Sequence, residues 1–227
     1  MPTDFFYRKY IKITAFAIAV IVTCFSLVYA KFLSQVRVEN GVGQVYFLVM
    51  ESRNVEATSQ FLQWDGGAGY FMEYNGEEYV ATSVYFEESD GLTVQAGLRL
   101  EGKNAELLAL GNTKLYFKGN RQKKRAEYYL GALRAFYGCL QVFGKGIAVL
   151  ERGTQEQTKR YYAPLERQFR YLGTQYADGY PSFSKICEEG SGALDKMSSQ
   201  TLYVKDLRYL LCQLSMEYVV LTANFSL

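Results

Sequence analysis

The 227-residue chain is 49% apolar and contains 4 cysteines, 3 prolines and no histidine. That apolar share excludes a wholly disordered chain, and the missing histidine excludes imidazole bases, Ser-His triads and His metal ligands. The formal charge of +2 hides an uneven spread, with residues 32–119 acidic on balance and residues 120–178 basic. The two halves can face each other or be solvated separately.

Ile13 to Ala30 is an apolar run without a single charged residue. At a helical rise of 1.5 Å it spans about 27 Å, close to the roughly 30 Å hydrocarbon core of a bilayer. Arg8, Lys9 and Lys12 precede it, and only Lys31 and Arg37 follow closely. The positive-inside bias predicts a cytoplasmic N-terminus over 1–12, a transmembrane helix over 13–30 and an extracytoplasmic remainder. Val28-Tyr29-Ala30 also fits a signal-peptide cleavage site, but the apolar run is longer than a usual signal core, which favours a retained anchor. Residues 31–43 read as a short linker that holds the folded part near the membrane.

The next segment, 44–118, reads as an α+β domain. Gln44 to Met50 is apolar, β-branched and aromatic, and predicts a strand. Asn54 is placed to cap a helix whose apolar positions are Val55, Thr58, Phe61 and Leu62. "DGGAG" ends that helix, and Asn75-Gly76 between two apolar runs predicts a hairpin. "EESDGLTVQAGLRLEGK" reads as a second helix and "AELLALGNTKLYF" as one or two closing strands. The order is the ferredoxin-like βαββαβ arrangement, with helices on one face of an antiparallel sheet and the other face free.

This order behind one membrane span resembles the SPOR domain of bacterial division and sporulation proteins, over about residues 42–110. "YFLVMESRNVEA" supplies the family's strand, turn and helix alanine (Ala57). Gly69-Tyr70 matches the glycine entering strand two, Tyr79 the aromatic opening strand three, and Phe86 the phenylalanine closing it. The resemblance implies binding of peptidoglycan glycan strands and localisation to division or sporulation septa. Tyr46, Met50 and Tyr79 are then the candidate glycan-binding residues. The family's strand-one glutamine and glycine are absent, as is the arginine beside the strand-three aromatic. Val80 or Ala81 stands in the arginine's place.

From Asn120 to the C-terminus the period is helical, predicting an antiparallel α-helical bundle over 120–227. The first stripe runs through Ala126, Tyr129, Leu133, Phe136, Leu140, Phe143, Ile147 and Leu150, with a break allowed near Gly144-Lys145-Gly146. Thr154 is placed to cap a second helix carrying Leu165, Phe169, Leu172 and Tyr176, with Pro164 as a kink or a start. Phe183, Cys187, Gly190, Leu194 and Met197 make a third stripe, and Val204 to Leu221 a fourth.

The cysteines form no CxxC pair, and those beyond Cys24 sit at apolar helical positions, so buried free thiols are expected over a zinc site or disulfides. Adjacent carboxylates at Glu77-Glu78 and Glu87-Glu88 offer no two-sided cleft of the kind a glycosidase needs. No catalytic residue, metal ligand, cofactor or nucleic-acid partner is expected. Two functions remain open. One is a single-pass envelope protein whose SPOR-like domain binds glycan. The other is a non-enzymatic membrane scaffold that has lost glycan binding and docks a protein partner through its helices.

Overall fold

The computed structural model describes residues 35–38, 42–51, 54–111, 115–118 and 120–223. The cytoplasmic N-terminus and the transmembrane helix expected over 1–30 lie outside these residues, as does Cys24. In chain order the elements are β1 (Gln35–Val38), β2 (Val45–Glu51), α1 (Val55–Trp64), β3 (Tyr70–Tyr74), β4 (Glu77–Tyr85), α2 (Glu88–Leu100), β5 (Glu106–Leu110), β6 (Leu115–Lys118), α3 (Asn120–Arg152), α4 (Gln155–Tyr176), α5 (Pro181–Ser198) and α6 (Val204–Ala223). The protein is therefore α+β, a four-stranded antiparallel sheet followed by helices.

The sheet runs β3-β4-β2-β5. Local signals set its elements. The Asn54 side chain accepts a hydrogen bond from the Ala57 N–H at 3.1 Å, capping α1. Asn75 and Gly76 both adopt positive φ, 54° and 83°, the conformation a two-residue hairpin demands, and Tyr74 faces Glu77 across it. A bulge on β4 leaves Thr82 without an opposite residue between the Leu48–Ser83 and Val49–Ala81 pairs, while its hydroxyl donates to the Leu48 carbonyl at 3.2 Å.

Two expectations about the ends of this domain need correction. Residues 35–38, expected to be linker, form β1 and pair antiparallel with β6 in a separate two-stranded ribbon. That partner lies far along the chain, so no local pattern announces it. For the same reason β6 does not belong to the main sheet. Gly111 at φ 100° turns the chain away after β5.

The larger correction concerns the sheet face expected to be free. Along β2, Leu48 and Val49 point to opposite faces. Leu48 lies opposite Leu107, whose side chain meets the α2 backbone at Gly91. Val49 lies opposite Ala81, which lies opposite Tyr70, and the Tyr70 ring meets Tyr209 of α6 edge-on at 5.3 Å. So α1 and α2 cover one face, and α6, packed across β4, β2 and β3, covers the other. Val45, Phe47, Val49, Ala81 and Val84 join the buried side chains of the helices in one continuous core. Residues 44–118 and 120–227 thus share that core.

In the helical half, α4 packs on α3 and α5, and α6 packs on α3 and α5. The Tyr128 hydroxyl near the start of α3 donates to the Gln175 carbonyl near the end of α4, and the Tyr161 hydroxyl reaches the Val142 carbonyl, so α3 and α4 run antiparallel. Thr154 and Gln157 form a reciprocal capping box at the start of α4. Pro164 lies inside α4, ten residues into it, and marks neither a start nor an end. Nor does α3 break at Gly144-Lys145-Gly146. A Cβ at Gly146 would stand 2.6 Å from the Tyr162 ring, so the glycine serves close packing. Residues Ala126–Arg152 of α3 are long and apolar enough to cross a membrane by length and composition. Their stripe, from Ala126 through Leu133, Phe136, Leu140 and Phe143 to Ile147, is buried within the protein.

Candidate functional site

The three residues expected to touch glycan do not share a surface. Tyr46 lies between Tyr85 and Ala109, and Met50 lies opposite Val80. Alternation places both on the face of Leu48, the one covered by α1 and α2. Each is half-buried, and the Tyr46 hydroxyl contacts Gln44 Oε1 at 3.4 Å. Tyr79 lies opposite Glu51 and Met72, which puts it on the α6 side, half-buried near the hairpin end of the sheet. Desolvation, reinforced by Glu106, Glu77 and Glu51, pushes its hydroxyl above the ordinary range. The negative field of these carboxylates disfavours an anionic ligand at Tyr79.

The joint between sheet and bundle is held by buried aromatic and polar contacts. The Tyr218 hydroxyl on α6 donates to the Gly43 carbonyl at 2.7 Å, and the Tyr137 hydroxyl on α3 donates to the Gln44 carbonyl at 2.9 Å. A Cβ at position 43 would overlap the Tyr137 ring, so a larger residue there would have to displace that ring. On the far side of the joint the Arg208 guanidinium donates to the Gly66 carbonyl and pairs with Glu151, both at 2.7 Å. These bonds fix α6 on the sheet at both of its ends.

A cleft of about 610 Å³ opens where β3 stops. β3 pairs with β4 only as far as Ala81, so the stretch from Ser83 to Phe86 is left to line the cleft floor. One wall is the entrance of α2, with Glu87 and Asp90. The other is α3 and α6, with Lys145, Ile147, Arg208 and Leu211. Glu87 and Asp90 are exposed, as is Lys145, and none of the three makes an ion pair among the described residues. No local pattern predicts this feature, because Asp90 and Lys145 on its facing walls stand 55 residues apart in the chain.

Cys139, Cys187 and Cys212 are free and buried. Desolvation raises the Cys187 and Cys212 thiols well above their ordinary value, so neither is a nucleophile near neutrality. Among the described residues, no group of three or more cysteine, aspartate or glutamate side chains is placed to hold a metal ion. No family model, curated protein or solved structure matches the chain.

Proposed function

We propose that the chain is a non-enzymatic, membrane-anchored scaffold of the bacterial cell envelope. In this reading residues 13–30 are the single span, the N-terminus is cytoplasmic and the folded part is extracytoplasmic. Residues 42–110 are a ferredoxin-like, SPOR-like layer that no longer binds glycan, and the helices dock a protein partner. One observation carries the choice over the glycan-binding reading: α6 lies on the sheet face that a glycan strand would need. The candidate glycan residues are split between the two faces, which points the same way. The outward side of α4 carries exposed Arg160, Arg167, Arg170 and Tyr171; Arg160 and Arg170 pair with Glu156 and Glu166, which leaves Arg167 and the Tyr171 ring as the groups offered to an acidic partner.

The test pairs two measurements. Purified peptide-free glycan strands are expected to retain the full-length protein no better than a membrane-protein control. Crosslinking in cells is expected to give a protein neighbour whose yield falls when Arg167 becomes glutamate. Retention by the glycan, lost in Tyr46→Ala or Tyr79→Ala, would replace the scaffold with a peptidoglycan-binding protein of the septum.

A further inference from the structure

The cleft beside β4 has a charge arrangement that the scaffold reading does not use. Its α2 wall carries the carboxylates of Glu87 and Asp90, and its α3 wall carries the ammonium of Lys145. Walls of opposite charge usually neutralise one another directly. Here no ion pair joins them, and open volume lies between. Arg208 does not compensate the α2 carboxylates, because its guanidinium is engaged by Glu151 and the Gly66 carbonyl. Beneath the charged rim the floor is mixed, with Ser83 and Tyr85 beside an apolar part formed by Phe86, Ile147 and Leu211. Phe86 lies against α3 at Gly144, where a Cβ would stand 3.2 Å from its ring, and Ile147 and Leu211 are buried beside it.

We propose that this cleft binds a small zwitterion with an apolar body, of the size of a short apolar peptide. Its ammonium group sits toward Glu87 and Asp90, its carboxylate toward Lys145, and its side chains over Phe86, Ile147 and Leu211. The volume falls within the few hundred to about 1,000 Å³ typical of small-ligand sites. Each end of such a ligand meets an unpaired opposite charge, whereas a singly charged ligand would leave one wall uncompensated. The proposal is independent of the scaffold reading, since it concerns neither the outer face of α4 nor the glycan.

Saturation-transfer NMR on the full-length protein in detergent micelles tests it, with leucyl-leucine as probe and empty micelles as blank. The zwitterionic dipeptide should give a saturable signal. N-acetyl-leucyl-leucine, which lacks the cation, and leucyl-leucinamide, which lacks the anion, should each bind about tenfold more weakly or worse. Asp90→Asn and Lys145→Gln, both at exposed positions, should each weaken leucyl-leucine by a similar factor while thermal unfolding stays unchanged. No saturable binding of the dipeptide overturns the proposal. So does binding of either blocked peptide as tightly as leucyl-leucine itself, or an unaltered affinity in Lys145→Gln.

Discussion

Tyr218, near the end of the last helix, donates its hydroxyl to the carbonyl of Gly43, 175 residues earlier, at 2.7 Å. The ring is fully buried and stacks 6.4 Å from Phe136, so one side chain ties the entry to β2 to the centre of the bundle. Removing the hydroxyl leaves a carbonyl without its donor while the ring stays. Tyr218→Phe should cost about 1–3 kcal/mol in denaturant unfolding. A loss below about 0.5 kcal/mol would mean that the joint does not depend on this bond.

Phe136 is the hub of the aromatic core. Its ring meets Phe169 and Phe183 edge-on at 5.5 and 5.6 Å and is fully buried. Phe136→Ala removes a large side chain from a site with three aromatic neighbours, and should cost about 3–5 kcal/mol. One transition followed by both helical and sheet signals should remain, because the core is shared. Separate transitions for the two halves would contradict that sharing.

Two glycines in the same helix should respond oppositely to alanine. Gly146 has the Tyr162 and Tyr161 rings within 2.7 Å of an added Cβ, whereas Gly138 has nothing within 4 Å. Gly138→Ala should stabilise by up to about 1 kcal/mol through helix propensity alone. Gly146→Ala should destabilise, since overpacking costs about 1–3 kcal/mol. Matched melting curves of the two variants check the contrast.

Alkali should weaken the fold. Burial raises the thiols of Cys187 and Cys212 above their ordinary 9.0, and the phenols of Tyr162 and Tyr180 above 10.0. Groups whose folded pKa is raised contribute stability fully below the unfolded value and lose it as pH rises through the folded one. Unfolding free energy should therefore be flat from these groups up to about pH 8 and fall from about pH 9 upward. Under native conditions at neutral pH, a thiol reagent should label the three buried cysteines only at the rate of unfolding.

Much of this architecture is legible in the sequence because it rests on local physics. Asn54, Asn75-Gly76 and Thr154 mark a cap, a turn and a capping box within a few residues of where they act. The stripes of α3 to α6 likewise record the faces they bury. What the sequence hides is pairing at a distance. Nothing near Gln35 signals β6, and nothing in the alternation of β2 says whether its second face meets water or a helix. An apolar residue such as Val49 would serve either a ligand platform or a core. The cleft shows the same limit, since Asp90 and Lys145 read separately as ordinary exposed charges.

If residues 13–30 anchor the chain in a membrane as proposed, the ribbon of β1 and β6 shortens the tether to the folded body. If Ala30 ends a membrane span, only four residues, 31–34, separate it from β1, a reach of about 14 Å even when fully stretched. A body so tightly moored has little freedom to swivel and meets its surroundings from a nearly fixed pose. On that proposal a partner would have to come to the bilayer surface, and an inserted flexible spacer after Lys31 should relax that demand.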